Sequence, residues 1–260
     1  MIKFLKKILK KTLKLFNLEI RKLDPQLEQL TFDELYKKIL KGKIIIFDVG
    51  ANKGQSIDRF KKVFKDNIIH SFEPILFEFS NLQKKYLHEK NIFLNNLALG
   101  HQQEEKEFFV NKYTGSSSFL KTLDNTSWIK LRKKQLNINS DNFLREKQKI
   151  SVQTIDKYCH EKKINNIDIL KIDTQGYEDK VIEGSKGMIN NNEIKFIEFE
   201  IILSDIYEKT LSISQIENQL GNNFRLFAND FYGNLYSNKI YQLNLVYINK
   251  VFFNKIRVDK

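Results

Sequence analysis

Two glycines and one acid follow predicted strands at positions that suit the binding of a nucleoside. Gly50 and Gly54 lie in the turn that follows the apolar run 44–47, and Glu73 comes directly after a second short predicted strand, 68–72. A glycine turn between a strand and a helix lets the backbone approach a ligand closely, and an acid after the next strand can bind ribose hydroxyls. In a dinucleotide fingerprint, the middle glycine makes room for a pyrophosphate, and this loop lacks that glycine. The pattern therefore predicts a nucleoside ligand without phosphates.

Strands and helices alternate around these residues. Strand patterns occur at 44–47, 68–72, 92–97 and 167–172, and helix patterns at 55–64, 77–87 and 152–162. The run 44–47 is apolar throughout, as expected of a central parallel strand that is covered on both faces. This alternation predicts an α/β fold in which a parallel sheet carries helices on both faces.

The predicted domain begins after Pro25 and contains one insertion. Thr31 and Glu34 form a capping box that starts a helix, and Gly42 ends it. Later helices are predicted at 178–184 and 212–220, and later strands at 194–200, 224–228 and 241–249. The weakest pattern, at 111–148, predicts an insertion that covers or shapes a substrate site. We therefore divide the chain into a segment 1–24 and a domain 25–260.

The composition is typical of a globular protein of one domain, with or without an appendage. The chain has 260 residues, of which 41% are hydrophobic, enough to bury a sizeable core. This excludes a disulfide miniprotein, a collagen and a disordered tail. The single cysteine, Cys159, can form neither an intrachain disulfide nor a cysteine-based zinc site, and no signal peptide opens the sequence. We expect a reducing, cytoplasmic location.

Positive charge is concentrated at the start of the chain. The formal net charge is +12, and residues 1–14 carry six lysines and no acid. Apolar residues spaced by three and four between these lysines predict a basic amphipathic helix over 1–16. It is too interrupted by charge to cross a bilayer, which takes about 20 mostly apolar residues. Two roles stay open: peripheral contact with an anionic membrane at its inner face, or packing on its own domain or on a partner. The oligomeric state is not indicated.

Four short motifs occur in order along the chain. They read FDVGANKG at 47–54, SFEP at 71–74, ALG at 98–100 and LKIDTQGYE at 170–178. In this order and spacing the chain resembles the FkbM-type family of S-adenosylmethionine-dependent methyltransferases over roughly residues 43–200. The resemblance implies a Rossmann-like class I methyltransferase fold, whose mostly parallel seven-stranded sheet ends in an antiparallel insertion. It also implies O-methylation of small molecules or sugars, with polysaccharide biosynthesis favoured, and a small-molecule or glycan acceptor.

The resemblance assigns residues to S-adenosyl-L-methionine. Those expected along the methionine part are Asp48, Gly50, Asn52 and Gly54. Glu73 would hold the ribose hydroxyls, and Asn96, after the third strand, would contact the adenine edge. Asp173 would lie beside the sulfonium and the acceptor. Gln175 stands where the family often has Glu, so a carboxylate role is not carried over to it.

A sugar hydroxyl also needs its proton removed, and several side chains could accept it. The candidate bases are Asp173 first, then Glu178, Glu198 and Glu200, with His70 and His101 behind them. Glu198 and Glu200 face the same side of a predicted strand, and Glu200 lies nearer the carboxyl end, where such sheets bind ligands. We expect both histidines to serve packing. No His/Cys cluster predicts a metal site, although Asp173, Glu178 and Glu200 could gather around a divalent ion.

Three other kinds of protein compete with this interpretation. Positive charge favours a nucleic-acid methyltransferase, but the stretch 173–176 lacks the Asn/Asp-Pro-Pro-aromatic element typical of amino-group methylation. That absence argues against methylation of amino groups but not against ribose methylation. We therefore expect no nucleic-acid partner and keep ribose methylation of RNA as the alternative. A nucleotide-binding oxidoreductase is disfavoured by the missing glycine. A non-catalytic scaffold with the same fold is the third.

Overall fold

A computed structural model describes Leu13 and residues 30–139, 142–234 and 239–258. The basic helix predicted at 1–16, and the segment 1–24 that contains it, lie outside the described residues apart from Leu13. The chain divides into two compact units, Met1–Leu35 and Tyr36–Lys260. In the first unit, the Thr31 amide donates to Glu34 Oε2 at 2.8 Å and the Glu34 amide donates to Thr31 Oγ1 at 3.3 Å. The predicted capping box is therefore confirmed.

The strands form two separate sheets. In chain order they are β1 (Ile44–Val49), β2 (Asn67–Phe72), β3 (Ile92–Asn95), β4 (Ala98–Leu99), β5 (Glu104–Asn111), β6 (Leu144–Gln153), β7 (Ile167–Ile172), β8 (Ile194–Ile202), β9 (Phe224–Asn234) and β10 (Lys239–Asn249). The large sheet has seven strands in the order β3-β2-β1-β7-β8-β10-β9, and β10 runs antiparallel to both β8 and β9 while all other neighbours are parallel. The predicted seven-stranded sheet with an antiparallel last strand is confirmed.

Helices connect and cover the strands of the large sheet. They are α1 (Phe32–Ile39), α2 (Gln55–Val63), α3 (Leu76–Lys85), α4 (Ser127–Gln135), α5 (Ile155–Lys162), α6 (Glu178–Glu183), α7 (Lys186–Asn190), α8 (Ile213–Leu220) and α9 (Lys250–Val258). The central strand β7 is buried along its whole length, because parallel strands with helices on both faces leave no side exposed. None of the helices in the described part of the chain has the length and apolarity needed to span a bilayer.

The region around the predicted insertion forms the small sheet, in the order β4-β6-β5. The helix predicted at 152–162 begins too early: Val152 and Gln153 lie in β6, and Thr154 caps α5 by accepting a hydrogen bond from the Lys157 amide. Between β5 and β6 lie a 3₁₀ turn, Thr114–Ser116, and the helix α4. This sheet stands at the edge where the strands of the large sheet end.

Candidate active site

The turn after β1 passes unusually close to the end of β7. Gly50 has a φ of +89°, and a Cβ atom at this position would lie 1.9 Å from the carbonyl oxygen of Asp173. Asn52, in the same turn, also has left-handed backbone, with a φ of 46°. Only glycine combines this backbone conformation with so close an approach. The turn therefore brings the carboxyl ends of two central strands together at one point.

A cavity of about 580 Å³, open solvent included, lies at this point. Its polar lining comes from the turn after β1, the end of β2, the 3₁₀ turn and the loop after β7. The polar and glycine residues that line it are Gly50, Asn52, Glu73, Thr114, Gly115, Ser117, Asp173, Thr174 and Gln175. Its apolar lining includes Ile75, Ala98, Leu99, Phe108, Phe119 and Tyr177. The cavity thus has a polar side and an aromatic side.

The Glu73 carboxylate is fixed by backbone amides at the wall of the cavity. Its Oε2 accepts from the Asn52 amide at 2.7 Å, and its Oε1 accepts from the Ile75 amide at 2.8 Å. Burial raises the pKa of Glu73 to about 7, although these two hydrogen bonds favour the ionised form. Each carboxylate oxygen retains capacity for a further donor, such as a hydroxyl of a ligand.

Four of the residues assigned to the cofactor line the cavity: Gly50, Asn52, Glu73 and Asp173. Three further residues assigned to the cofactor do not line it. Asp48 is fully buried and accepts from Ser71 Oγ at 3.2 Å, and Gly54 packs against Tyr86. The Asn96 amide donates to the carbonyl groups of Glu73 and Pro74. Contact of these three residues with a cofactor stays a prediction.

Asp173 and Glu200 are joined by one side-chain amide. Gln175 Nε2 donates to Asp173 Oδ1 at 2.8 Å and to Glu200 Oε1 at 3.1 Å. The hydroxyl of Tyr207 lies 3.0 Å from Gln175 Oε1, which fixes the orientation of the amide. Burial, followed by the charge of Asp173, raises the pKa of Glu200 to about 7. Gln175 therefore holds two carboxylates beside the cavity, a role that the sequence alone did not suggest.

A buried lysine balances these acids. Lys171 pairs with Asp48 on one side and Glu198 on the other in the strand register, and its Nζ lies 3.2 Å from Asp173 Oδ2. Burial alone lowers the pKa of a lysine, but the carboxylates of Asp173 and Asp48 outweigh it and raise the pKa of Lys171 above its ordinary value. The ammonium therefore stays charged and pairs with the Asp173 carboxylate.

Glu178 and Glu198, two other candidate bases, are engaged elsewhere. Glu178 Oε1 accepts from the amides of Thr174 at 3.1 Å and Gly176 at 3.0 Å, which shapes the loop after β7. Burial raises the pKa of Glu178 to about 7. Glu198 forms a two-pronged ion pair with Arg59, at 2.5 and 3.0 Å, and accepts from the Tyr36 hydroxyl. A catalytic role for Glu178 stays a prediction.

The two histidines lie outside the cavity lining. His70 Nδ1 is 2.9 Å from the Tyr158 hydroxyl, and its ring stacks on Phe93 with 4.8 Å between centroids. Burial lowers the pKa of His70 to about 4, so the ring is neutral. His70 therefore packs in the sheet, as predicted. Among the residues that the structure describes, no group of three or more His, Cys, Asp or Glu side chains could hold a metal ion.

Several lining residues come from the small sheet and the insertion. Thr114 Oγ1 lies 3.1 Å from Asn52 Oδ1 and 2.6 Å from Glu78 Oε1, which ties the 3₁₀ turn to the turn after β1. The rings of Phe119 and Tyr177 lie 4.5 Å apart and form the aromatic side. The sequence predicts this contribution only as an insertion at 111–148 that covers or shapes a substrate site. Ser117 lines the cavity, while Ser118 donates to the Gln175 carbonyl.

Comparison with known proteins gives the family. The model of the methyltransferase FkbM domain matches residues 48–228. Similar solved structures include fibrillarin in its complex with Nop5p (13% identity, 81% of this chain and 74% of that chain, TM-score 0.43). Another is TrmK of M. capricolum in complex with S-adenosylhomocysteine (10% identity, 86% of this chain and 70% of that chain, TM-score 0.43). A third is an rRNA methylase from Streptococcus thermophilus (9% identity, 84% of this chain and 93% of that chain, TM-score 0.44). A search among curated proteins gave no match.

The sheet order, the glycine turn and the acid after β2 define a class I S-adenosylmethionine-dependent methyltransferase. The chain belongs to the FkbM methyltransferase family. Its cavity suits the cofactor of that family, S-adenosylmethionine. The fixed carboxylate of Glu73 can accept ribose hydroxyls, the aromatic side suits an adenine ring, and Gly50 and Asn52 leave backbone open to the methionine part.

Cofactor affinity should depend on pH through Glu73. With a pKa of about 7, this carboxyl goes from mostly protonated at pH 6 to mostly ionised at pH 8. The ionised form accepts hydroxyl hydrogens more strongly, so we expect the affinity for S-adenosylhomocysteine to rise by up to roughly tenfold over this range. Calorimetry on the wild type and on Glu73→Gln measures it. The variant should bind weakly at every pH; if it keeps the rise, another carboxyl such as Glu200 causes it.

Proposed function

We propose that the protein transfers a methyl group from S-adenosylmethionine to a sugar hydroxyl during glycan biosynthesis. The observation that carries the proposal is the pair of carboxylates, Asp173 and Glu200, which Gln175 joins beside the cofactor cavity. A hydroxyl is a poor nucleophile until a base takes its proton, and a positioned carboxylate supplies that base. Family membership favours sugars over polyketides and lipids.

Each residue of this group has a distinct task in the proposed reaction. When bound, S-adenosylmethionine supplies an electrophilic methyl group. Asp173, at the end of β7, accepts the proton of the acceptor hydroxyl, and Lys171, whose Nζ lies 3.2 Å from Asp173 Oδ2, holds this side chain in place. Gln175 fixes the orientation of Asp173, and its left-handed backbone, with a φ of 59°, keeps the amide between the two carboxylates. Glu200, with a pKa of about 7, can take up a proton near neutral pH.

Positioning supplies much of the remaining acceleration. The transfer needs the acceptor oxygen, the methyl carbon and the sulfur in line, so the chain must hold both partners rigidly. The close approach of Gly50 to Asp173 fixes the distance between the cofactor turn and the base. The hydrogen bonds of Thr174 and Gly176 to Glu178 fix the loop that carries Gln175.

Transfer of a labelled methyl group tests the proposal. The protein is incubated with methyl-labelled S-adenosylmethionine and, in separate reactions, with oligosaccharides and with total RNA. We expect label in the oligosaccharides, as an acid-stable methyl ether that mass spectrometry places on a sugar hydroxyl. Label only in RNA, released as 2′-O-methyl nucleosides, would replace this proposal with the ribose methyltransferase. Label on nitrogen in either acceptor would contradict the role of Asp173 as a base for a hydroxyl.

A further inference from the structure

The insertion between β5 and β6 is anchored directly beside the candidate bases. The Leu123 amide donates to the Ile206 carbonyl at 2.8 Å, and the Glu208 amide donates to the Lys121 carbonyl at 3.1 Å. Buried Ile129 of α4 packs in one cluster with Ile206 and Tyr207. Because the Tyr207 hydroxyl also contacts Gln175, the insertion and the carboxylate pair share one rigid support. An acceptor that reaches Asp173 therefore lies next to the insertion.

This insertion carries a concentrated positive charge. Residues 112–143, which connect β5 and β6, contain six Lys and Arg residues and two acids, Asp124 and Asp141. Together with the facing loop 203–209 they carry seven cations against four acids, a net formal charge of +3. Lys121, Lys130 and Lys134 are exposed and form no ion pair with a carboxylate in the described part of the chain.

Arg132, on this surface, is held between two aromatic rings. Its guanidinium lies 4.7 Å from the ring centroid of Tyr113 and 5.0 Å from that of Trp128. Its Nη1 donates to Gln135 Oε1 at 3.0 Å, which further restricts the side chain. A Cβ atom on Gly115, which lines the cavity, would lie 3.0 Å from the Tyr113 ring. The ring of Tyr113 therefore contacts the Arg132 guanidinium and also lies close to the cavity wall at Gly115.

We propose that the acceptor is a sugar carried on a diphosphate, whose phosphates bind Arg132 and the lysines of α4 while its hydroxyl meets Asp173. This inference rests on the proposed function and names its substrate class. No lysine or arginine is among the described residues that line the cavity, so the cations available to a negative group of the acceptor are those of the basic insertion. A planar guanidinium held by stacking suits phosphate, because its parallel N–H donors match two phosphate oxygens.

Direct binding tests the proposal without turnover. The full chain, saturated with S-adenosylhomocysteine, is titrated at about 150 mM salt with inorganic pyrophosphate, uridine diphosphate and farnesyl diphosphate. We expect pyrophosphate to bind, and the tighter of the other two to show whether a nucleotide or a lipid carries the sugar. Arg132→Gln should weaken pyrophosphate binding at least about tenfold, by loss of charged hydrogen bonds. The affinity for S-adenosylhomocysteine should stay unchanged.

Two further variants test whether pyrophosphate binds at α4 or is attracted by positive charge anywhere on the surface. Lys130→Gln combined with Lys134→Gln removes exposed charge without touching the packing around Arg132, and should also weaken pyrophosphate binding. Lys90→Gln removes an exposed charge before β3, at the opposite edge of the sheet, and should have no effect. An equal effect of Lys90→Gln would overturn the proposal in favour of diffuse attraction. Binding of an RNA oligonucleotide but of no diphosphate would overturn it in favour of nucleic acid.

The two proposals fail in distinguishable ways. If S-adenosylhomocysteine binds and no diphosphate does, the acceptor class proposed here is wrong and the methyl transfer to a sugar hydroxyl still stands. If S-adenosylhomocysteine itself does not bind, the proposed function fails, and the basic insertion is then no part of an acceptor site.

Discussion

We expect Asp173→Asn to lower the rate of methyl transfer by about 100-fold or more while changing the affinity for S-adenosylhomocysteine less than about threefold. The substitution keeps the shape of the side chain and removes its capacity to accept a proton. Single-turnover kinetics with labelled cofactor gives the rate, and calorimetry gives the affinity. A loss confined to the rate is the mark of an interaction that matters only in the transition state.

The surroundings of Asp173 can accommodate an amide, so the variant should fold. Lys171 Nζ can donate to the new carbonyl oxygen in place of Asp173 Oδ2. The Gln175 amide can rotate so that its oxygen accepts from the new NH₂ group, and the Tyr207 hydroxyl can then accept from its nitrogen. The cost of this change is the hydrogen bond from Gln175 to Glu200.

Asp179→Asn is the matched control for this prediction. It makes the same chemical change on α6, outside the cavity lining, and should leave rate and affinity near the wild-type values. If Asp173→Asn instead weakens cofactor binding as much as it lowers the rate, Asp173 is a binding residue. Glu200→Gln then becomes the variant that tests the base, with Glu178→Gln after it.

The large sheet could be predicted from the sequence because its central strands are buried on both faces. The run that forms β1 is apolar except for Asp48, β7 has Ile or Leu at four of its six positions, and the glycine turn marks the end of β1. In β5 and β6, by contrast, one face is exposed, and charged residues dilute the pattern. Only alternate residues of β6, such as Ile150 and Val152, are buried. These strands were missed, and the predicted start of α5 was wrong for the same reason.

Some residues of the candidate site could likewise be predicted from the sequence, and others could not. Gly50, Glu73 and Asp173 could be predicted because the carboxyl ends of parallel strands meet at one edge, so position along each strand is enough. Lys171 could not, since its balance with Asp48 and Glu198 exists only once β1, β7 and β8 are neighbours. The aromatic side of the cavity comes from residues far apart in the chain, which no local pattern connects.

The second large effect concerns the turn after β1. We expect Gly50→Ala to lower the free energy of unfolding by about 2–5 kcal/mol, the sum of roughly 1–3 kcal/mol for a forced contact and roughly 1–2 kcal/mol for left-handed backbone at alanine. The new Cβ would lie 1.9 Å from the Asp173 carbonyl oxygen, so the turn and the end of β7 must separate. Because both line the cavity, binding of S-adenosylhomocysteine should be lost. Denaturant unfolding and calorimetry measure the two effects.

Gly42→Ala separates the contact from the backbone strain. Gly42 has a similar φ of +78°, but a Cβ there would meet nothing within 4 Å. This variant should therefore lose only about 1–2 kcal/mol, the cost of left-handed backbone for alanine, and should keep full cofactor affinity. The difference in the free energy of unfolding between the two variants measures the cost of the contact between a side chain at position 50 and Asp173. Equal losses of stability, with cofactor binding kept in Gly50→Ala, would show that this close approach does not constrain the site.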